Sequence, residues 1–195
     1  MPGIQYKLSW DEYGQLTADL WNNLEKKLQE LNLKIDAIIV ILREGVFTGI
    51  PLAYKLNTYK VIPIQFKYML YEGRNEQKQI TKIPEILYKL PDKPTFLLCD
   101  TFPAGGNTKK LAIEEFKKVY PNSKFVMSSL IEDKSADKLP DIILRVHAVD
   151  VDNEYNTNHP IYKRAGVTNV LYTLLPWENE QEELAGPDYK EWNYN

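Results

Sequence analysis

Leu97-Leu98-Cys99-Asp100-Thr101-Phe102-Pro103-Ala104-Gly105-Gly106-Asn107-Thr108 is the stretch that decides how this chain folds. With the preceding Thr95-Phe96 it makes a buried apolar strand that delivers an acid, Asp100, at its tip. A turn of small residues follows. The spacing then predicts an amphipathic helix from Thr108 to Tyr120, with Leu111, Ala112, Ile113, Phe116 and Val119 as its apolar side. Gly105 and Gly106 let backbone amides approach a ligand closely. Asn107 and Thr108 add side-chain donors, and the helix N-terminus adds free amides and a partial positive charge. Two readings are open from these residues alone: a phosphate cradle, or a plain Gly-Gly turn capped by Thr108. The spacing fits neither a P-loop nor a dinucleotide Gly-x-Gly-x-x-Gly.

Outward from this stretch the same alternation recurs. Asp36-Ala37-Ile38-Ile39-Val40-Ile41-Leu42 is continuously apolar, as in a strand covered on both faces. Arg43-Glu44-Gly45 breaks it. Phe47 to Leu56 predicts a short helix, in which Pro51 fits the start or the first turn. Val61 to Phe66 predicts a second strand, with Pro63 marking an edge or an irregular position. Lys67 to Gln79 is polar, lacks a period and reads as a mobile loop; Ile80 to Leu90 reads as a helix or as part of that excursion. Lys124 to Leu130, Asp141 to Val149 and Val167 to Leu175 predict three more strands. Upstream, Ser9 with Glu12 is a capping-box pattern. Leu16, Leu20, Trp21, Leu24, Leu28 and Leu31 then predict a helix ending near Asn32. Strands alternating with helices imply a central parallel sheet, which places ligands outside the carboxyl ends of strands. The two loops to watch are therefore Arg43-Glu44-Gly45 and Asp100 to Thr108.

Composition sets bounds on function. The 195 residues amount to about one domain. A net charge of −3 gives no global basic field, so the expectation is no nucleic acid and no membrane, and any anion site is local. No run approaches the ~18 apolar residues of a membrane helix. The single cysteine, Cys99, excludes an internal disulfide and a multi-thiolate zinc site, and suits a cytoplasmic, reducing setting. Inside a buried strand it reads as a small hydrophobe. His147 and His159 are not closely spaced and lie beside no glycine loop, so structural or surface roles are expected. The acidic-aromatic tail after Trp177 reads as a frayed end or a clasp over a neighbour.

The set of motifs resembles the type I phosphoribosyltransferases over about residues 8 to 178. Their shared motif is an apolar strand, one or two acids, two apolar residues, Asp or Ala, then Thr-Gly-x-Thr/Ser. Asp100 matches the first acid. Ala104-Gly105-Gly106-Asn107-Thr108 matches the loop that grips the 5′-phosphate of phosphoribosyl pyrophosphate, with Gly105 where Thr is usual. Arg43-Glu44-Gly45 looks like the pyrophosphate loop, and Lys67 to Gln79 lies where the family keeps its mobile catalytic loop. Leu8-Ser9-Trp10-Asp11-Glu12 and Tyr172-Thr173-Leu174-Leu175-Pro176-Trp177-Glu178 resemble the xanthine/hypoxanthine-guanine branch.

The resemblance implies an α/β fold: a central, mainly parallel sheet flanked by helices, in one domain over 1–195. A small hood would come from the N-terminal segment and roughly residues 131–195. It implies transfer of a phosphoribosyl group to a nucleobase, a 6-oxopurine by its nearest branch, with pyrophosphate released. Asp100 and Arg43 would be catalytic, and Asp100 would hold the ribose hydroxyls or Mg²⁺, the implied cofactor. Lys134, with Lys138 as rival, would read an exocyclic oxygen of the base. Tyr172 would stack on the base, and Thr173 and Glu178 would line it. Partners would be phosphoribosyl pyrophosphate and a nucleobase or nucleoside monophosphate, in a homodimer or homotetramer. Three departures stand out. Thr101 replaces a second acid, Ala104 stands where oxopurine enzymes carry Asp, and Glu44 puts a negative charge beside the pyrophosphate loop. Two like unit charges at 4 Å repel by roughly 4 kcal/mol at an effective dielectric of 20, so Glu44 must turn away, pair or be bridged. These departures support two alternatives: a nucleotide-binding or regulatory protein on the same fold, or a transferase for adenine, a pyrimidine or an unusual base.

Overall fold

The computed structural model describes residues 4–71, 74–101, 107–133, 139–151 and 170–178. In chain order the elements are β1 (Ile4–Lys7), α1 (Trp10–Glu30), β2 (Ala37–Leu42), α2 (Gly45–Lys55), β3 (Val61–Tyr71) and β4 (Arg74–Thr81). They continue as β5 (Thr95–Cys99), α3 (Asn107–Val119), β6 (Lys124–Asp133), β7 (Ile142–Val151) and β8 (Val170–Leu174). Six strands form one sheet in the order β4-β3-β2-β5-β6-β7, and β1 with β8 forms a second, parallel pair. Within the larger sheet only β3–β4 is antiparallel. The fold is α/β with a mainly parallel central sheet flanked by helices, as the sequence predicts.

The apolar runs explain the sheet. Successive side chains of a strand point to opposite faces. Ile38 and Val40 of β2, with Leu97, Cys99 and Val126, pack against Leu16, Leu20, Leu24 and Leu28 of α1 and Leu52 of α2. Ala37, Ile39 and Ile41, with Phe96, Leu98 and Phe125, face Ala112, Ile113 and Phe116 of α3. A strand buried on both sides cannot alternate apolar with polar, which is why these segments read as solid runs. α1 starts as predicted: Ser9 N–H donates to Glu12 Oε2 (2.8 Å), and Glu12 N–H donates to Ser9 Oγ (3.2 Å). Asn32 and Asn57, both at positive φ, close α1 and α2.

Three expectations are corrected. Lys67 to Gln79 is not a loop: it completes β3 and most of β4 in a hairpin with Tyr68 opposite Gln77. β4 is an edge strand, and edge strands keep polar residues on their open side, so no apolar period marks it. Of the two readings of Ile80 to Leu90, helix or continued excursion, the helix is excluded: Ile80 and Thr81 end β4 and the rest is irregular. Pro51 lies inside α2, which begins at Gly45 rather than Phe47. A proline there removes the N–H that would reach the Phe47 carbonyl. The Tyr13 hydroxyl from α1 donates to that carbonyl instead, at 2.6 Å. Pro63 pairs with Val40 on one side, while β4 pairs with β3 only from Gln65 onward, so the proline occupies a locally open edge as expected. β1, four residues long, is an element beyond those the sequence predicts.

Candidate active site

β2 and β5 are parallel neighbours, with Val40 opposite Cys99. Their carboxyl ends therefore bring Arg43-Glu44-Gly45 and Asp100-Thr101 to the same edge of the sheet. The Leu42–Arg43 peptide is cis. The two loops touch. A Cβ on Gly45 would stand 2.3 Å from the Cys99 carbonyl oxygen, and one on Gly49 would stand 2.3 Å from Val40 Cγ1. Glycine is what allows the start of α2 to lie directly on β5 and β2.

Thr101 ties the loops together. Its hydroxyl donates to the Glu44 carbonyl (2.8 Å) and lies 3.4 Å from the Thr48 hydroxyl. Its own carbonyl accepts from Leu130 N–H and Ile131 N–H, both at 3.1 Å. Thr101 is fully buried. A carboxylate in its place would face the Glu44 carbonyl, acceptor against acceptor. This position therefore looks inward, toward the Arg43-Glu44-Gly45 loop.

Asp100 is half-buried at the tip of β5, where its N–H donates to the Ser128 carbonyl (3.1 Å). Its Oδ1 accepts from Thr101 N–H at 2.9 Å. Burial pushes the carboxyl up to about 6; the Thr101 N–H and the Lys109 ammonium pull it down, and Glu132 pushes it up. Burial likewise raises the neighbouring Cys99 thiol, and Asp100 adds to that shift, so Cys99 stays a protonated core residue.

Lys109 and Glu132 were not legible as site residues. Lys109, in the first turn of α3, is fully buried, with Nζ 3.8 Å from Glu132 Oε1. Glu132, near the end of β6, also accepts from Arg145 Nη1 (3.1 Å) and Ser129 Oγ (2.8 Å). Glu132 is thus held by three side chains, whereas Lys109 Nζ, buried beside it, makes no hydrogen bond among the described residues. Residues 109 and 132 lie on different elements, and no local spacing signals their meeting.

Asn107 is exposed and Thr108 half-buried at the start of α3. Gln77 Nε2, from the hairpin, donates to Thr108 Oγ1. Ala104, Gly105 and Gly106 lie outside the described residues, as do Lys134, Lys138, His159 and the tail beyond Glu178. Tyr172, in β8, pairs through its backbone with Gln5 of β1, and its side chain lies outside the described residues. Thr173 is buried opposite Tyr6. Glu178 Oε2 accepts from Leu175 N–H at 2.7 Å, which closes the turn after β8. Trp177 stacks on Phe47 with ring centroids 3.7 Å apart and planes 5° apart, and Tyr13 meets it edge-on at 5.2 Å. The segment after β8 is thereby fixed to the first turn of α2.

Among the described residues no three His, Cys, Asp or Glu side chains gather as a metal cluster. Magnesium with a phosphate substrate does not need one: it keeps waters and phosphate oxygens and takes one or two carboxylates. Asp100 fits that role, since only its Oδ1 is hydrogen-bonded among the described residues. No helix among those residues is long and apolar enough to cross a membrane.

Comparison with known proteins agrees with this fold. A purine phosphoribosyltransferase from Pyrococcus horikoshii OT3 superposes with a TM-score of 0.61 at 20% identity, covering 90% of this chain and 95% of that one. The Helicobacter pylori xanthine-guanine-hypoxanthine phosphoribosyltransferase gives 0.63 at 17% identity, over 93% and 99%. A hypothetical protein from Neisseria gonorrhoeae with bound ppGpp gives 0.64 at 16% identity, over 94% of each chain. At these identities the likeness establishes the fold. A search of curated proteins finds no match. The phosphoribosyl transferase domain family matches residues 9–160, which span both loops, the hairpin and α3; the chain belongs to that family of pentosyl-transferring enzymes.

Proposed function

We propose that this protein joins a nucleobase, of the 6-oxopurine class, to C1 of phosphoribosyl pyrophosphate. The bond from C1 to the pyrophosphate oxygen breaks, the bond from C1 to a base nitrogen forms, the ring N–H proton of the base passes to water or to the departing pyrophosphate, and pyrophosphate leaves. The observation that carries this reading is the direct contact of the two loops at the ends of β2 and β5, with Thr101 bonded to Glu44. That contact sets a pyrophosphate-type loop beside a ribose-and-phosphate loop, as one substrate carrying both groups requires.

In this reading Ala104, Gly105, Gly106, Asn107 and Thr108 hold the 5′-phosphate, and Asp100 holds the ribose hydroxyls. Arg43, with the Glu44 and Gly45 backbone, holds the pyrophosphate and stabilises its charge as it departs. Lys134 and Tyr172, with Thr173 and Glu178, take the base. The pair β1–β8 supports a hood built from the N-terminal segment and roughly residues 131–195. Mg²⁺, carried by the substrate and contacted by Asp100, neutralises pyrophosphate oxygens. The chain's own work is positioning and the exclusion of water.

A second reading is favoured by Thr101. Its hydroxyl is spent on Glu44, which leaves Asp100 as the one acid between residues 100 and 108. Nucleotide binding without transfer suits that reduced set, and the similar Neisseria protein holds ppGpp. The two readings separate in one assay: free bases are presented with phosphoribosyl pyrophosphate and Mg²⁺, and pyrophosphate release is followed. Transfer predicts release, fastest with hypoxanthine, guanine or xanthine. Release with adenine or a pyrimidine alone overturns the oxopurine assignment. Nucleotide-induced stabilisation with no release from any base overturns transfer.

A further inference from the structure

We propose that Gln77, on the second strand of the hairpin, is a positioning residue that sets the Thr108 hydroxyl as a donor toward the bound 5′-phosphate. The inference rests on the phosphate site of the transferase reading and assigns part of its grip to the hairpin.

A threonine hydroxyl has one O–H and two lone pairs. Gln77 Nε2 donates to Thr108 Oγ1, so it occupies a lone pair and leaves the O–H to be given elsewhere. A phosphate oxygen can only accept, so the O–H is the part of Thr108 that it needs. Threonines in helices commonly lose that hydrogen to a backbone carbonyl one turn back. Thr17 in α1 does so, donating to the Tyr13 carbonyl at 2.9 Å. Thr108 is the second residue of α3, ahead of any helical turn that could take its hydrogen, and a hydroxyl that accepts one hydrogen bond donates a stronger one.

The amide is held at a cost. Gln77 Oε1 is buried with no hydrogen-bond partner among the described residues. A buried acceptor left unpaired is unfavourable, and packing alone would be better served by an apolar side chain. The orphaned oxygen marks the amide as placed for its N–H. Thr108 is reached across 31 positions of sequence, from a strand whose partner β3 joins the core of the sheet. The hairpin and the phosphate loop are therefore linked at one atom, and emptying or filling the loop is felt by the hairpin through it.

The test is calorimetric binding of phosphoribosyl pyrophosphate with Mg²⁺, alongside KM values for that substrate and for the base. Gln77→Ala should raise the Kd about fivefold, the worth of one net hydrogen bond. Gln77→Glu keeps the shape but can only accept. It should capture the Thr108 O–H, add a negative charge, and weaken binding by more than about tenfold. Thr108→Val should lose a similar factor, and adding Gln77→Ala to it should lose nothing more. The KM for the base should stay put in all of them, which a general loss of structure would not allow. Binding by Gln77→Glu equal to that of the unmutated chain, or losses that multiply in the double variant, overturns the inference alone. Failure of the unmutated chain to bind the sugar overturns the transferase reading and this inference together.

Discussion

Asp100 meets two opposed demands. Its place at the tip of β5 half-buries a carboxyl that, in the proposed role, is ionised to hold a metal shell or orient ribose hydroxyls, and burial resists that charge. The result is a group pushed up to about 6. Such a carboxyl is mostly charged near pH 7 and mostly protonated near pH 5, so Mg²⁺-dependent binding should fall with a midpoint close to 6. Asp100→Asn should abolish that limb and lower affinity about tenfold, as expected for a lost hydrogen bond to a charged group. Lys109→Met removes a cation that favours the ionised form, and should move the midpoint upward. The sign for stability is the reverse. A carboxyl raised on folding adds stability below its unfolded value and loses it as pH rises through the folded one. At pH 7 the charge costs about 1–2 kcal/mol after solvent screening at this half-buried position. Asp100→Asn should therefore unfold at higher urea than the parent at pH 7, with the gain gone near pH 4. A variant of parental stability at both pH values contradicts the buried-charge account. Asp100 was legible because a single acid ends an apolar strand; Thr101 was legible as a departure but not as a knot, since its partners Glu44, Leu130 and Ile131 come from other elements.

At the scale of elements, α2 shows how one residue's chemistry is completed by another helix. Pro51 denies the Phe47 carbonyl its usual donor, and Tyr13 supplies one from α1. Burial raises the Tyr13 hydroxyl above its ordinary value, which keeps it a donor at every working pH. Tyr13→Phe keeps the ring and its edge contact with Trp177 while orphaning the carbonyl. It should cost about 1–2 kcal/mol in urea unfolding, and a loss under a few tenths would show that water replaces the hydroxyl. Sequence alone places Pro51 at the helix start or in its first turn, because sequence does not show the tertiary donor that lets a proline sit inside. The same limit explains the other elements. β2 and β5 declare themselves by apolar runs, since cores cover both of their faces. β4, Arg74–Thr81, is a polar edge strand that only its pairing with β3 reveals. β1, Ile4–Lys7, is too short to show a period and depends on β8, more than 160 positions away.

On the scale of the whole molecule, the proposed substrate halves fall to different sheets. In the proposed assignment phosphate, ribose and pyrophosphate go to the ends of β2 and β5 and the start of α3. The base would go to the segment around β8, which pairs with β1 rather than with the six-stranded sheet. A transfer reaction needs the base nitrogen held in line with C1 to within fractions of an ångström, so the two sheets must be registered to each other. The Trp177–Phe47 stack joins them: Phe47 lies in the first turn of α2, and Trp177 follows β8. Leu175 is buried in the core shared with α1 and α2, so removing the stack loosens the register without detaching the strand. Trp177→Ala should raise the KM for the base about fivefold, in keeping with ~1 kcal/mol for an aromatic pair. The KM for phosphoribosyl pyrophosphate should move by less than about twofold, because Thr101, Gly45 and Thr108 do not depend on the stack. Trp177→Phe, which still stacks, should recover most of the loss. Equal rises in both KM values would place Trp177 in general stability, and a rise confined to the sugar would put the base elsewhere than beside β8.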